Sequence, residues 1–288
     1  MMRVTEAVLR ISYFPWVRRC VYRLGLKRFM QRLYILVRGD GKTLTLEVNG
    51  VEGVFSAETT PELRCVEGTL LSEREFLSAI QTILKPGDVF LDVGSNLGVF
   101  TIFGAKAVGP HGKVVACEPR KITFERAQKN AQLNQLHNII YLRLALSDTR
   151  STKKLVLDDD EPFGLRAHLA DSGGLFCEDV QAVDYDSLVE DEGLPIPRVV
   201  KMDVEGHEYA ALKGMKRTLS NSACTVLYCE IHPHLLPPDV SAGDVQVLIQ
   251  SYGFEYVSTR MRGRVRQVTA VKHAAREVVG YANHGDAC

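Results

Sequence analysis

The chain has 288 residues, enough to bury a sizeable core, and its 45% hydrophobic and 24% charged composition is that of an ordinary globular protein rather than a disordered one. Its 35 basic and 35 acidic side chains cancel, which argues against a general nucleic-acid coat, and no run of about 18 apolar residues marks a membrane span. Seven cysteines, odd in number and never in a C-x-x-C pair, speak against a disulfide framework or a structural zinc site and fit a reducing, cytoplasmic setting.

The first segment is the most basic. Arg3, Arg10, Arg18, Arg19, Arg23, Lys27, Arg28, Arg32 and Arg38 stand against a single acid, Glu6, and alternate with apolar residues such as Ile11, Phe14, Trp16 and Val21. That pattern suits an amphipathic helix interrupted near Pro15. It either packs on the core with a solvated basic face or makes a peripheral contact, through residues 1–38, with an anionic membrane or a protein partner. Nothing in it resembles a secretory signal, because arginines punctuate it and no small-residue cleavage site follows an apolar core.

Residues 33–70 hold short alternating stretches broken by Gly39, Gly41, Gly50 and Gly53 and read as a small hairpin region. "SEREFLSAIQTIL" has helical spacing, with Ser72 and Glu75 as its expected capping box and "KPGD" as its stop. From there strands and helices alternate: "DVFLDVG", "VFTIFGAKAVG", "GKVVACEP", "ITFERAQKNAQLNQL" and "NIIYLRLAL". The rhythm breaks at 148–186, read as a β insertion, and resumes with "RVVKMDV", the single helix "HEYAALKGMKRTL", "CTVLYCEI", "AGDVQVLIQSYG" and a closing hairpin of "FEYVST" with "VRQVTAV". Such alternation implies an α/β fold, a mostly parallel sheet with helices on both faces. The expected organisation is an N-terminal extension over 1–70, a main domain over 71–272 and a tail over 273–288.

In an open sheet of this kind ligands bind outside the C-terminal ends of the strands. "LDVGSNLGVF" follows the first strand and supplies Asp92, Gly94, Ser95, Asn96 and Gly98. Only two glycines are present, so the G-x-G-x-x-G of a dinucleotide site is incomplete, and Asp92 suits an amine-bearing ligand better than a pyrophosphate. S-adenosylmethionine carries such an amine and a sulfonium. Glu118 ends the second strand, where an acid can accept both ribose hydroxyls, and Ser147 with Asp148 ends the third, beside the expected adenine edge.

These stretches, with "NAQLNQLHNI", "LALSD", "VKMDVEGHEYAALKG" and "YCEIHP", resemble the FkbM family of S-adenosylmethionine-dependent methyltransferases over roughly residues 70–260. The resemblance implies a class I methyltransferase fold, Rossmann-like, with a seven-stranded, mostly parallel sheet and an antiparallel final strand. It implies methyl transfer, most often to oxygen, on glycan or small-metabolite acceptors. It puts Asp92, Gly94, Asn96 and Gly98 on the cofactor loop and Glu118 on the ribose. Asn130 and Asn134 match the family pattern as well and read as structural residues.

The stretch "VVKMDVEGHE" crowds Lys201, Asp203, Glu205, His207 and Glu208 into one turn. Asp203 and Glu205 are the expected catalytic residues, able to orient an acceptor hydroxyl and take its proton. Alternatively Asp203, Glu230 and His232 supply ligands to a divalent metal that binds the acceptor. Two further functions stay open at this level: a nucleotide-dependent oxidoreductase on the same fold, and a noncatalytic scaffold docked by its basic N-terminus.

Overall fold

The computed structural model describes residues 43–157, 167–170 and 177–275. The basic segment 1–38, most of the expected tail and parts of the insertion lie outside them. Among the described residues no helix is long and apolar enough to cross a membrane.

The first ordered unit is a two-stranded hairpin, β1 (Thr43–Val48) and β2 (Val51–Ser56), closed by Asn49 and Gly50 with φ of 52° and 77°. Asn-Gly at two positive-φ positions is what a two-residue hairpin turn requires. Helix α1 (Thr60–Ile83) follows and extends farther toward the N-terminus than its sequence pattern indicated. Its capping box is Thr59 with Glu62, not Ser72 with Glu75. The Thr59 N–H donates to Glu62 Oε2 at 2.9 Å and the Glu62 N–H donates to Thr59 Oγ1 at 3.3 Å. Ser72 lies inside the helix, where its hydroxyl donates to the Gly68 carbonyl at 2.7 Å, so the expected boundary at residue 70 falls within one continuous helix. Pro61 in the first turn and Glu62 of the Thr59 box locate the true start.

The main sheet comprises β3 (Val89–Val93), β4 (Lys113–Cys117), β5 (Ile139–Leu142), β10 (Val199–Met202), β11 (Val226–Ile231), β12 (Glu255–Arg262) and β13 (Val265–Val271). Its order is β12-β13-β11-β10-β3-β4-β5, parallel except for β13, which inserts antiparallel beside both β11 and β12. This is the expected seven-stranded class I methyltransferase sheet. Helices α2 (Val99–Val108) and α3 (Lys121–Leu133) connect its first strands, and α7 (Ala242–Ser251) leads to the closing hairpin. Strands β10 and β11 are buried along their whole length, as a sheet covered on both faces requires. One core cluster gathers Phe55, Phe90, Phe103 and Leu77 on the α1 side, and a second gathers Leu91, Val200, Met202 and Leu227 on the other.

Two departures from the sequence pattern have local causes. The third strand divides, because Ala145–Leu146 (β6) leaves the main sheet to pair with β9 (Cys177–Val183). With β7 (Ser151–Leu157) and β8 (Ala167–Ala170) these form the four-stranded insertion sheet. After α4 (Tyr185–Glu192), the expected long helix is two short ones, α5 (Glu208–Lys213) and α6 (Lys216–Ser220). They part at Gly214, where a Cβ would stand 1.7 Å from the Ser147 carbonyl oxygen. Asn130 and Asn134 are structural, as expected. On α3, Asn130 accepts from the Ser56 N–H at 2.8 Å and donates to the Leu97 carbonyl at 2.8 Å, while Asn134 takes both backbone groups of Val54.

The two capping candidates separate in a denaturation experiment. Thr59→Ala should lower unfolding free energy by about 1 kcal/mol, and Ser72→Ala should change it by less than about 0.5 kcal/mol, as read from urea midpoints.

Candidate active site

The C-terminal ends of β3, β4 and β10 open onto a cavity of about 480 Å³, within the usual range for a small-molecule site. Its floor is the turn after β3. Gly94 has φ 79° and passes so close to the β10 end that a Cβ would lie 1.9 Å from the Asp203 carbonyl oxygen, which admits only glycine. Gly94, Ser95 and Asn96 line the cavity, and Ser95 Oγ is buried there without a hydrogen-bond partner. Gly98 caps α2 with φ 81° but does not line the cavity.

Asp92 departs from its expected role. It is fully buried beneath the loop and absent from the cavity wall. Thr101 Oγ1 donates to it at 2.6 Å and Lys201 Nζ pairs with it at 3.3 Å. The cation it meets is therefore internal. Lys201 Nζ also donates to the Gly94 carbonyl at 2.9 Å and lies 5.1 Å from the centroid of the Phe100 ring. Burial pushes its ammonium down, but Asp92, Asp203, Glu73 and Glu230 outweigh burial and hold it above the ordinary lysine range.

Glu118 lies where expected, at the end of β4 and in the cavity wall. Its Oε1 accepts from Thr123 Oγ1 at 2.8 Å and from the Arg120 N–H at 3.0 Å, and its Oε2 accepts from the Asn96 N–H at 2.9 Å. Burial raises the carboxyl, and these donors pull it back only in part. They also fix the carboxylate's orientation, leaving one lone-pair site, on Oε2, for a ligand hydroxyl. Ser147 departs from expectation. It is buried behind the wall formed by Leu144, Ala145 and Leu146, with its hydroxyl 3.0 Å from His207 Nε2.

Across the cavity stand Asp203 and Glu205, both lining it. Asp203 Oδ1 is a buried atom with no hydrogen-bond partner. Glu205 has φ 47°, a left-handed conformation uncommon for a residue with a Cβ and found preferentially at functional sites. Behind them His232 sits 3% exposed, its Nδ1 2.7 Å from Glu208 Oε1 and its Nε2 3.4 Å from Glu205 Oε2 and 3.7 Å from Asp203 Oδ1. Burial pushes the imidazole down, but the Glu208 hydrogen bond and the carboxylates of Asp203, Glu208 and Glu205 override it and lift it to about 9. His232 is thus an imidazolium at neutral pH, aimed at both expected catalytic acids.

Asp203, Glu230 and His232 each offer a ligand atom within 4.8 Å of the others, the arrangement a metal would need. The donors are nevertheless committed elsewhere. Glu230 Oε2 accepts from Arg262 Nη2 at 2.5 Å and its Oε1 accepts from Gln267 Nε2 at 2.7 Å. With His232 protonated, the cluster reads as an ion-pair network that already supplies its own cations.

The sequence pattern missed two cavity residues, Glu73 on α1 and Arg262 on β12, whose Oε1 and Nη1 lie 3.2 Å apart. They are 189 positions apart, and each sits in a stretch of ordinary amphipathic pattern. Only the register of the closing hairpin brings them together.

Comparison with known proteins points one way. The Methyltransferase FkbM domain matches residues 92–256. The hexuronic acid methyltransferase AglP of Haloferax volcanii is 31% identical over 199 residues, covering 68% of this chain and 77% of the relative. The 31-O-demethyl-FK506 methyltransferase FkbM of Streptomyces tacrolimicus is 25% identical over 203 residues, 61% of this chain and 75% of the relative. The solved structure of methyltransferase FkbM from Methylobacillus flagellatus KT aligns with 72% of this chain at 13% identity and TM-score 0.44, and this chain spans 58% of that one.

Two outcomes follow from the buried charges. Lys201→Met strands the Asp92 carboxylate and should cost about 3–5 kcal/mol in chemical denaturation, most of it restored in the Asp92→Asn, Lys201→Met double variant. Because the His232 imidazole is raised from 6.5 to about 9 on folding, its contribution is complete below about pH 6.5 and lost as pH rises through 9. The stability gap between wild type and His232→Gln should accordingly narrow between pH 6 and pH 10 in thermal melts.

Proposed function

The chain belongs to the FkbM methyltransferase family, and from that premise we propose that it methylates a hydroxyl on a sugar, glycan or small-metabolite acceptor, with Asp203 and Glu205 as its catalytic acids. As a member of that family it is an S-adenosylmethionine-dependent enzyme, which sets aside the oxidoreductase and scaffold alternatives. The observation that carries the acceptor reading is the convergence of Asp203 and Glu205 on the cavity that also holds the glycine loop and Glu118. The named substrates of the two relatives, a hexuronic acid and a demethylated FK506 oxygen, favour oxygen as the target atom.

The cavity suits the cofactor. Gly94 leaves backbone room, Ser95 Oγ is a buried donor without a partner, and Glu118 Oε2 keeps one acceptor site for a ribose hydroxyl. Gly94, Ser95, Asn96 and Glu118 would hold it, with Asp92, Gly98 and Ser147 supporting from behind. When bound, S-adenosylmethionine supplies an electrophilic methyl group. The remaining work belongs to the chain. Asp203, in the cavity wall with its side chain 24% exposed, accepts the proton of the acceptor hydroxyl. Glu205, held in its left-handed turn, orients that hydroxyl. His232, fixed by Glu208, sets a cation behind both carboxylates.

Calorimetry and turnover test these roles separately. Glu118→Ala should weaken S-adenosylmethionine binding by about 1–3 kcal/mol through the lost charged hydrogen bonds. Asp203→Asn should bind the cofactor as wild type does and lose about 10²–10⁴-fold in kcat, the usual contribution of a general base, on an acceptor identified by labelled-methyl transfer into a host extract. Retained turnover in Asp203→Asn would remove it from the mechanism. Activity should survive chelation, because the His232 and Arg262 cations occupy the acid cluster.

A further inference from the structure

One end of the cavity is built by residues on either side of the family match at 92–256. Helix α1 contributes Gly68, Thr69, Ser72 and Glu73, and strand β12 contributes Arg262. Glu73 is largely buried there, with a side chain 10% exposed. The groups that face it can be named element by element. Asp203 comes from the turn after β10, Glu230 from β11, Lys201 from β10 and Arg262 from β12. Cys65, on its own helix, also faces Glu73 but is uncharged, its thiol pushed by burial and by Glu73 up to about 12.

Both cations are shared. Arg262 Nη2 is bound to Glu230 Oε2 at 2.5 Å while its Nη1 reaches Glu73 Oε1 at 3.2 Å, and Lys201 is divided between Asp92 at 3.3 Å and the Gly94 carbonyl at 2.9 Å. Four carboxylates, Asp92, Glu73, Asp203 and Glu230, therefore share these two cations, and the third cation, His232, is spread over Asp203, Glu205 and Glu208. Burial first, then the Glu230 and Asp203 charges, push the Glu73 carboxyl up to about 8 against the pull of Arg262 and Lys201. Such a site is short of positive charge. A ligand carrying a cation into this end of the cavity would supply it, and the family's cofactor is cationic at its methionine end, with an ammonium and a sulfonium.

We propose that Glu73 is the counter-ion for the cationic methionine end of the methyl donor, and that it releases its proton to solvent as that end is bound. This rests on the methyl-donor reading of the cavity. The O–H bond of the Glu73 carboxyl breaks, the proton passes to buffer, and an ion pair replaces a neutral acid. The sign of the pH dependence follows. Below the free-protein value of about 8, binding must expel a proton, so donor affinity rises with pH up to about 8, above which the donor's own α-ammonium loses its charge and the gain is reversed. The slope should approach about tenfold in affinity per pH unit between pH 6 and pH 7, where the donor's ammonium is charged throughout.

The test is titration calorimetry of the full chain with S-adenosylmethionine at pH 7, in phosphate and in Tris, whose ionisation heats differ. Wild type should release close to one proton, seen as unequal heats in the two buffers. Glu73→Gln, the isostere of the neutral acid, should melt like wild type, give equal heats in both buffers and bind the donor at least about tenfold more weakly at pH 8. Glu73→Asp should retain the buffer dependence. Equal heats for wild type, or wild-type proton release by Glu73→Gln, would overturn the assignment while leaving the methyl-donor reading intact. Wild type that bound no donor in either buffer would overturn that reading and this inference together.

Discussion

A single buried ion pair organises the ligand end of this fold. Asp92 and Lys201 are register partners on the adjacent parallel strands β3 and β10, and both are removed from water. Neither charge would be tolerable alone at that depth, so the strands must meet in one register. The second bond of Lys201, to the Gly94 carbonyl, then carries the constraint from the sheet into the loop. The loop in turn brings the Asn96 N–H to Glu118, and the Leu97 carbonyl to Asn130 on α3. Strand register, loop shape and the aim of the Glu118 carboxylate are thus consequences of one electrostatic requirement.

The charged turn after β10 follows a different logic. It exposes Asp203 and Glu205 to the cavity and backs them with a buried Glu208 and His232. Glu208 Oε1 accepts from the Gly206 N–H at 2.9 Å as well as pairing with His232. One acid therefore fixes both the backbone of the turn and the cation behind it. The crowding of ionisable groups that marks this stretch is a division of labour, with two groups facing outward and the others holding them in position.

Much of this was legible in the sequence, for physical reasons that differ by residue. Hydrophobic runs separated by glycine and proline located the parallel strands, because a sheet covered on both faces needs apolar residues on both sides. Gly94 and Glu118 were legible because their chemistry is local, a tight turn and a strand-end acid. Asp92 and Ser147 were misjudged in direction rather than position. A strand residue points inward or outward according to its partners, and the partners Lys201 and His207 lie more than fifty residues away. The helix start was misplaced because Ser72 and Glu75 have the spacing of a capping box, while Thr59 and Glu62 have both the spacing and a proline at the first turn. Glu73 and Arg262 carried no signal because their pairing exists only in three dimensions.

The place of Arg262 has a consequence for how the molecule comes into being. Strand β12 is at the sheet edge and reaches the core only through β13, which follows it in the chain and inserts between it and β11. A nascent chain that has emerged as far as β12 has no partner for that strand in the main sheet. The glycine loop after β3, with local partners in α2, β4 and α3, can form early in synthesis, whereas the corner holding Arg262 against Glu230 must await the last strand. Such late, long-range closure is the slow kind of step in folding. Newly made molecules should therefore pass through a stage in which the cavity wall at Glu118 is formed and the wall at Arg262 is still open.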